Sequence, residues 1–206
     1  MVYLPPAFTE TRSEVLIAHI ERHDFGLLVS HGPQGLIASQ IPFLVEQREG
    51  QLVLQGHLAR ANPQLKEMEG AAEALAVFAG PHAYISPSWY EGGPAVPTWN
   101  YATVHAYGPA RCIEDAEWLR QLVRRLSDRH EAREPTPWSM QDLPETYVQS
   151  MLNGIVGIEI AVARLEGKFK LSQNRPADDR PRIIAALDAR GDPESAAVAD
   201  LMRRMG

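Results

Sequence analysis

Residues Gly80–Tyr107 read GPHAYISPSWYEGGPAVPTWNYATVHAY. Two tryptophans, four tyrosines and two histidines stand in this stretch, a density of rings far above that of the rest of the chain. Pro87, Pro94 and Pro97 fix φ and withhold backbone donors, so the stretch predicts a stiff loop from Ser88 to Val96 carrying Trp89 and Tyr90. Gly92-Gly93 gives that loop one hinge. From Thr98 to Tyr107 polar and apolar residues alternate, the pattern of a strand whose two faces differ in chemistry. Flat rings beside Asn100, Thr103 and His105 suit a wall for a planar, polar ligand; the same residue types also suit an aromatic core beneath a long loop.

Working outward toward the N-terminus, Glu73–Ala79 and His82–Ser86 read as strands. Phe25–Ser30, Gly35–Val45 and Gln51–His57 form a β-meander with short glycine-bearing turns. Thr11 and Glu14 have capping-box spacing before a helix over Arg12–Arg22. His19 and His23, four apart on that helix, have the spacing of a metal-chelating pair but not the surrounding ligand pattern and read as a solvated helix end, so no metal site is expected. The third meander strand runs into His57-Leu58-Ala59-Arg60-Ala61-Asn62-Pro63. Asn62 is a good N-cap and Pro63 suits a first helical position, so a short helix to about Met68 is expected. Free N–H groups there, beside Arg60 and His57, would cradle a phosphate; ordinary capping with a surface arginine is the competing reading.

Toward the C-terminus, the aromatic strand is expected to run from Thr98 to Cys112 with a bulge at Gly108-Pro109. Asp115 opens an amphipathic helix with Leu119, Leu122, Val123 and Leu126 on one stripe. Pro144–Asn153 predicts a short helix and Gly154–Leu165 one strong strand. Gly167–Arg175, GKFKLSQNR, is the most basic short segment, read either as an anion-binding edge or as a solvated turn. Two helices, Ala177–Arg190 and Pro193–Met205, complete the chain.

The 206 residues carry a formal charge of −6 and a pI near 5.6, which disfavours a surface built for non-specific attraction to nucleic acid or anionic membrane. Cys112 is the single cysteine, so an intrachain disulfide and a multi-cysteine metal knot are excluded. With neither a signal-peptide pattern nor a membrane-length apolar run, a soluble, cytoplasmic protein is expected. Dinucleotide-fold, P-loop, nucleophile-elbow and zincin motifs are absent. Strands without regular helical crossovers point instead to an antiparallel barrel or sandwich with peripheral helices.

The ordered motifs YLPPAF (Tyr3–Phe8), GHLARANPQ (Gly56–Gln64), GPHAYISPSWY (Gly80–Tyr90), VPTWNYATVHAYG (Val96–Gly108), IVGIEI (Ile155–Ile160) and GKFKLSQNR together resemble the PaiB family, FMN-binding proteins labelled negative transcriptional regulators. Leu65 and Phe169 stand where that family's pattern has tryptophan, and Arg182 where it has glycine. The resemblance implies a mainly β fold, an antiparallel FMN-binding split β-barrel with peripheral helices, over residues 1–175, with a C-terminal helical tail over 176–206 packed on the same domain. It implies a homodimer with FMN at the interface. Arg60 and the helix start at Asn62 would then hold the phosphate, with charge added by Lys168 and Lys170. Ser39, Gln40, Ile41 and Pro42 would run along the flavin, Gly56, His57 and Leu58 would line the ribityl chain, and Trp99, Asn100 and Tyr101 would close the ring pocket. No residue stands out as a catalytic acid or base; His57, His82 and His105 are candidates only.

The resemblance favours a regulator in which FMN alters a partner interaction. No helix-turn-helix pattern is present and the chain is acidic, so a DNA partner lacks a recognisable motif and a regulatory protein partner is the alternative. The rival functions are an FMN-dependent oxidoreductase, akin to flavin reductases or pyridoxamine phosphate oxidases, and a haem-binding barrel ligated by His82 or His105.

Overall fold

A computed structural model describes residues 1–68, 73–92 and 94–205. Gly93, half of the expected Gly92-Gly93 hinge, lies outside the described residues. In chain order the elements are β1 (Thr9–Glu10), α1 (Ser13–Arg22), β2 (Phe25–Gly32), β3 (Gly35–Pro42), β4 (Leu44–Arg48), β5 (Gln51–Ala59), α2 (Gln64–Met68) and β6 (Ala74–Ile85). There follow β7 (Thr98–Gly108), β8 (Ala110–Ile113), α3 (Ala116–Glu131), α4 (Glu145–Leu152), β9 (Ile155–Ala161), β10 (Arg164–Lys170), α5 (Asp179–Arg190) and α6 (Pro193–Arg204). The strands form one sheet of order β1-β10-β7-β6-β2-β3 and another of order β4-β5-β9-β8. Strand β1 runs antiparallel to β10, β2 to both β3 and β6, β5 to both β4 and β9, and β8 to β9. The chain divides into two compact units. The terminal unit holds Met1–His19, Ala79–His105 and Glu166–Gly206; the central unit holds Ile20–Phe78 and Ala106–Leu165.

In the central unit, β2 and β3 form a hairpin in register from Phe25↔Pro42 to Gly32↔Gly35. Gly35 closes the turn at φ 108°, a value that L side chains rarely adopt. Gln64, fully buried at the start of α2, donates from Nε2 to the Leu28 carbonyl (3.1 Å), Ser30 Oγ (3.2 Å) and the Ile37 carbonyl (3.3 Å), which ties the helix to the hairpin. α3 begins at Asp115, whose carboxylate accepts from the Trp118 N–H at 2.8 Å. Its apolar stripe then packs Leu122 and Leu126 against Leu44, and Leu119 against Val148 and Leu152 of α4. Burial of such side chains is worth about 1.5–3 kcal/mol each, which outweighs any propensity effect in these short elements.

The expected strand over Gly35–Val45 is two strands. Phe43, fully buried between them, gives its N–H to the Asp24 carbonyl (2.8 Å) instead of to a ladder. The expected strand over Gly154–Leu165 also divides, because Val162 and Ala163 donate to the Leu52 and Tyr107 carbonyls (2.9 and 2.8 Å). Thr98–Cys112 breaks at Pro109, which has no N–H. Gly108 is required just before it, since a Cβ there would fall on the Ala161 carbonyl oxygen.

In the terminal unit, Thr9 pairs with Lys168 and Glu10 with Gly167. The two strands expected over Glu73–Ala79 and His82–Ser86 are the single strand β6, although His82 donates its N–H to the Glu194 carboxylate (3.1 Å). Lys168 and Lys170 lie within β10 and not on a turn. Asp192 caps α6 through the Ser195 N–H at 2.8 Å, and Ile183, Leu187, Val198, Ala199 and Met202 are fully buried. The two C-terminal helices thus belong to the same compact unit as the N-terminal segment and the aromatic stretch.

Candidate functional site

The ends of β3 and β5 in the central unit frame a cleft of about 550 Å³. Ser39, Gln40, Ile41 and Pro42 line one side; His57, Leu58, Ala59 and Asn62 line the other, with Ile155 between. The cross-strand pairs His57↔Gly157, Leu58↔Val156 and Ala59↔Ile155 explain how Ile155 arrives there. Close backbone approach is built in at Gly56: a Cβ would come within 3.0 Å of the Pro42 carbonyl oxygen and of Ile41 Cδ1.

Asn62 fixes one end of the cleft with both halves of its amide. Its Oδ1 accepts from the Gln64 N–H (2.9 Å), and its Nδ2 donates to Ser39 Oγ (3.0 Å). The helix that follows has five residues and begins at Gln64, so Asn62 serves as an ordinary local cap. His57 is placed differently. Its Nδ1 is buried with no hydrogen-bond partner, and burial holds its imidazole below the usual histidine range, so the ring is neutral at pH 7. A buried polar atom without a partner is costly and marks a place where a ligand atom would be stabilising.

Seven of the fourteen residues expected from the sequence therefore line one cleft: Ser39, Gln40, Ile41, Pro42, His57, Leu58 and Asn62. Gly56 lies beneath it on β5. Arg60 departs from the expectation: its Nε and Nη2 donate to the Asn153 and Ile155 carbonyls (2.9 and 3.2 Å), and its Nη1 pairs with Glu114 at 2.8 Å. That guanidinium clamps β5 to the start of β9, and only the Glu114 contact, with both side chains well exposed, is open to exchange. Ile155 and Ala59 were missed by sequence reasoning; Ile155 opens the IVGIEI motif, but its place beside the cleft depends on strand register.

The other five expected residues belong to the terminal unit. Asn100 is fully buried, and its amide is bonded to Ser172 Oγ (2.9 Å) and Met202 Sδ (3.5 Å). It is not among the residues that line the cleft at the ends of β3 and β5. Trp99, by contrast, is 52% exposed, with the His82 and Tyr84 rings each 6.0 Å from its own. Tyr101 lies 5.5 Å from Lys168 Nζ, and Lys170 donates to the Trp99 carbonyl at 2.8 Å. His82, a candidate acid or base, is an exposed side chain 3.2 Å from Glu194; His105 is held below the usual range by burial, against an upward pull from Glu166.

FMN presents a flat ring with polar edges, a hydroxylated chain and a phosphate. A serine hydroxyl, two amides and an unpartnered imidazole nitrogen beside Ile41, Pro42, Leu58 and Ile155 suit the first two. The phosphate is served only if Arg60 exchanges Glu114 for it. With that exchange, the residues present fit the group.

Comparison with known proteins gives a consistent family. Residues 2–164 match the family described as "Putative FMN-binding domain". The chain is 34% identical over 201 residues to the protease synthase and sporulation protein PAI 2 of Bacillus subtilis (strain 168), covering 98% of this chain and 96% of that one. It is 31% identical to an uncharacterized protein of Emericella nidulans, with 100% and 98% covered. Among solved structures it resembles the flavocytochrome Anf3 from Azotobacter vinelandii (TM-score 0.58, 13% identity, 87% of this chain and 78% of that chain). It also resembles the FAD and heme binding protein from Mycobacterium smegmatis (TM-score 0.57, 18% identity, 86% and 79%). At these identities the likeness is one of fold. The sheet-rich antiparallel architecture is the split-barrel class expected from the sequence, and among the described residues no helix is long and apolar enough to cross a membrane. The chain belongs to the PaiB-type family of FMN-binding proteins.

Proposed function

We propose that this protein is a cytoplasmic, homodimeric regulator of the PaiB type that holds FMN in the cleft at the ends of β3 and β5. The observation that carries the reading is convergence: residues far apart in sequence meet in one cleft, among them His57, whose buried Nδ1 has no hydrogen-bond partner. Ser39, already held by Asn62, and the exposed amide of Gln40 offer polar contacts to the ring edge or ribityl chain. Ile41, Pro42, Leu58 and Ile155 exclude water from the flat faces, and Arg60 gives its Nη1 to the phosphate. When bound, FMN supplies redox chemistry that the side chains of the cleft lack. Regulation then follows from occupancy, since FMN in the cleft changes the surface that the ends of β3 and β5 present to a partner. The acidic charge favours a protein partner over direct contact with DNA.

The test is an equilibrium titration of purified protein with FMN, read by flavin fluorescence, alongside its oligomeric mass. Saturation near one FMN per chain at micromolar concentration is expected, on a dimer. No binding of FMN at that concentration removes the reading, and sustained NADH or NADPH oxidation by the loaded protein replaces the regulator with an oxidoreductase.

A further inference from the structure

In the central unit one helix, α4, both closes against the cleft and faces solvent. It ends at Leu152, and the residues just beyond it are held by Arg60, whose Nε donates to the Asn153 carbonyl and whose Nη2 donates to the Ile155 carbonyl. Asn153 is itself the C-cap of α4, its N–H donating to the Gln149 and Met151 carbonyls, and the Gly154 N–H returns to the Met151 carbonyl at 3.0 Å. Ile155, which lines the cleft, also packs on the cluster of Leu119, Val148 and Leu152. The last turn of α4 and the wall of the cleft are therefore one packed piece.

The other side of α4 is open and apolar. Tyr147 and Met151 are each more than half exposed and, one helical turn apart, share a face of the helix. Trp138, also exposed, stands just before Met140, which packs on the same Leu119 cluster. Residues 131–153 carry the carboxylates Glu131, Glu134, Asp142 and Glu145 against the single cation Arg133. Glu131 accepts the Trp138 N–H at 2.7 Å, and Arg120 of α3 meets Glu145, so the balance stays negative. A phenol, a thioether and an indole set in an acidic segment are apolar anchors with a negative rim. Their complement is an apolar surface edged by lysine or arginine.

We propose that this face of α4 docks a basic, apolar segment of a partner protein, and that occupancy of the cleft sets how well it does so; the coupling rests on the FMN reading above. A phosphate at Arg60 draws Nη1 from Glu114, and the same guanidinium carries the two donors that hold the Asn153 and Ile155 carbonyls. A planar, rigid fork cannot turn one donor without turning the others. A ligand against Ile155 and a re-aimed Arg60 both act on the residues that close α4, so the loaded and empty protein present Tyr147 and Met151 differently. Such coupling is reciprocal: a partner on α4 changes FMN affinity by the factor that FMN changes partner affinity.

Fluorescence anisotropy of a labelled amphipathic leucine–lysine peptide, with its leucine–glutamate counterpart as control, tests this on the full chain with and without saturating FMN. The basic peptide binds the FMN-free protein saturably, the acidic one about tenfold more weakly, and FMN shifts the basic peptide's Kd about fivefold. Tyr147→Ser with Met151→Ser raises that Kd about tenfold and leaves FMN affinity without peptide unchanged. Leu36→Ser, at an exposed apolar residue of the β2–β3 hairpin, changes neither. Glu134→Gln with Asp142→Asn weakens the peptide in the same direction should the first pair not fold. Absent or equal binding of the two peptides, or an unchanged Kd in both pairs of variants, overturns the docking face. So does a fall in oligomeric mass in Tyr147→Ser with Met151→Ser, which gives the face to a second copy of the chain. FMN that binds without moving the peptide's Kd overturns the coupling and leaves the cleft reading. FMN that does not bind removes the cleft reading and the coupling with it, and the FMN-free titration then decides the docking face.

Discussion

Glu159 in the central unit and Lys168 in the terminal unit are buried to nearly the same degree, 5% and 8% exposed, yet their surroundings are opposite. Glu159 accepts from Arg111 (3.0 and 2.5 Å), Arg48 (3.1 Å) and Gln55 (3.0 Å), and Gln55 in turn accepts from Arg125 of α3 at 3.1 Å. Lys168 has the rings of Tyr3 and Tyr101, at 5.2 and 5.5 Å from its Nζ. A buried charge met by opposite charges holds a fold in one arrangement, whereas ring faces compensate an ammonium only in part. The central unit also ties down its other charges, Arg60 with two carbonyls and Glu114, and Arg129 with Asp24 at 3.0 Å.

The largest effect expected from this contrast is in stability. Glu159→Ala leaves buried Gln55 without its acceptor and should cost about 3 kcal/mol, read as a fall in Tm of roughly 6–12 °C. Lys168→Met removes an unpaired charge and should raise Tm slightly in the absence of ligand. Equal losses in both variants would break the comparison. Burial pushes the Glu159 carboxyl up, but hydrogen bonds from Gln55, Arg111 and Arg48 outweigh it and hold it below its usual 4.5. The folded state therefore binds that proton less readily than the unfolded one. Its contribution is complete well above pH 4.5 and is lost as pH falls through the lower folded value.

Next in size is the exchange at Arg60. Arg60→Ala should weaken FMN binding about tenfold, and Glu114→Gln, which frees Nη1, should tighten it. If Glu114→Gln leaves affinity untouched while Arg60→Ala loses it only with a drop in Tm, the arginine is a clamp alone. Smaller again, Asn62→Ala should cost about 1 kcal/mol of stability through the lost cap, with a few-fold loss of FMN affinity as Ser39 is released. An FMN loss without a stability loss would show that Asn62 meets the ligand directly.

Local chemistry made much of this legible. Alternation over Thr98–Tyr107, the Asn62-Pro63 start and the Leu119–Leu126 stripe each carry their own signal, and each element formed where its residues placed it. What stayed hidden depends on partners distant in sequence. Nothing around Asn100 shows that Ser172 and Met202 will bury it, and nothing around Arg60 announces the Asn153 and Ile155 carbonyls. The break at Phe43 is set by Asp24, nineteen residues earlier in the numbering. Seven of the nine cleft residues could be named from the sequence, three of them from the GHLARANPQ motif; Ile155 could not, because cross-strand register brings it in.

The smallest effect concerns His57 and bears most directly on the cleft. Its folded-state proton affinity is lowered by burial, so the unfolded chain takes the proton first as pH falls below the ordinary 6.5. Stability should then decline by under about 1 kcal/mol between pH 7 and 6, and His57→Phe should remove that slope. FMN affinity, read over the same range, should stay flat while the ring remains neutral and should change only below the lowered folded value. An affinity that titrates at or above pH 6.5 and becomes flat in His57→Phe would mean that the imidazole meets solvent. His57 Nδ1 would then not be the buried atom waiting for the flavin, and the cleft would lose the one feature that separates it from an ordinary groove between strand ends.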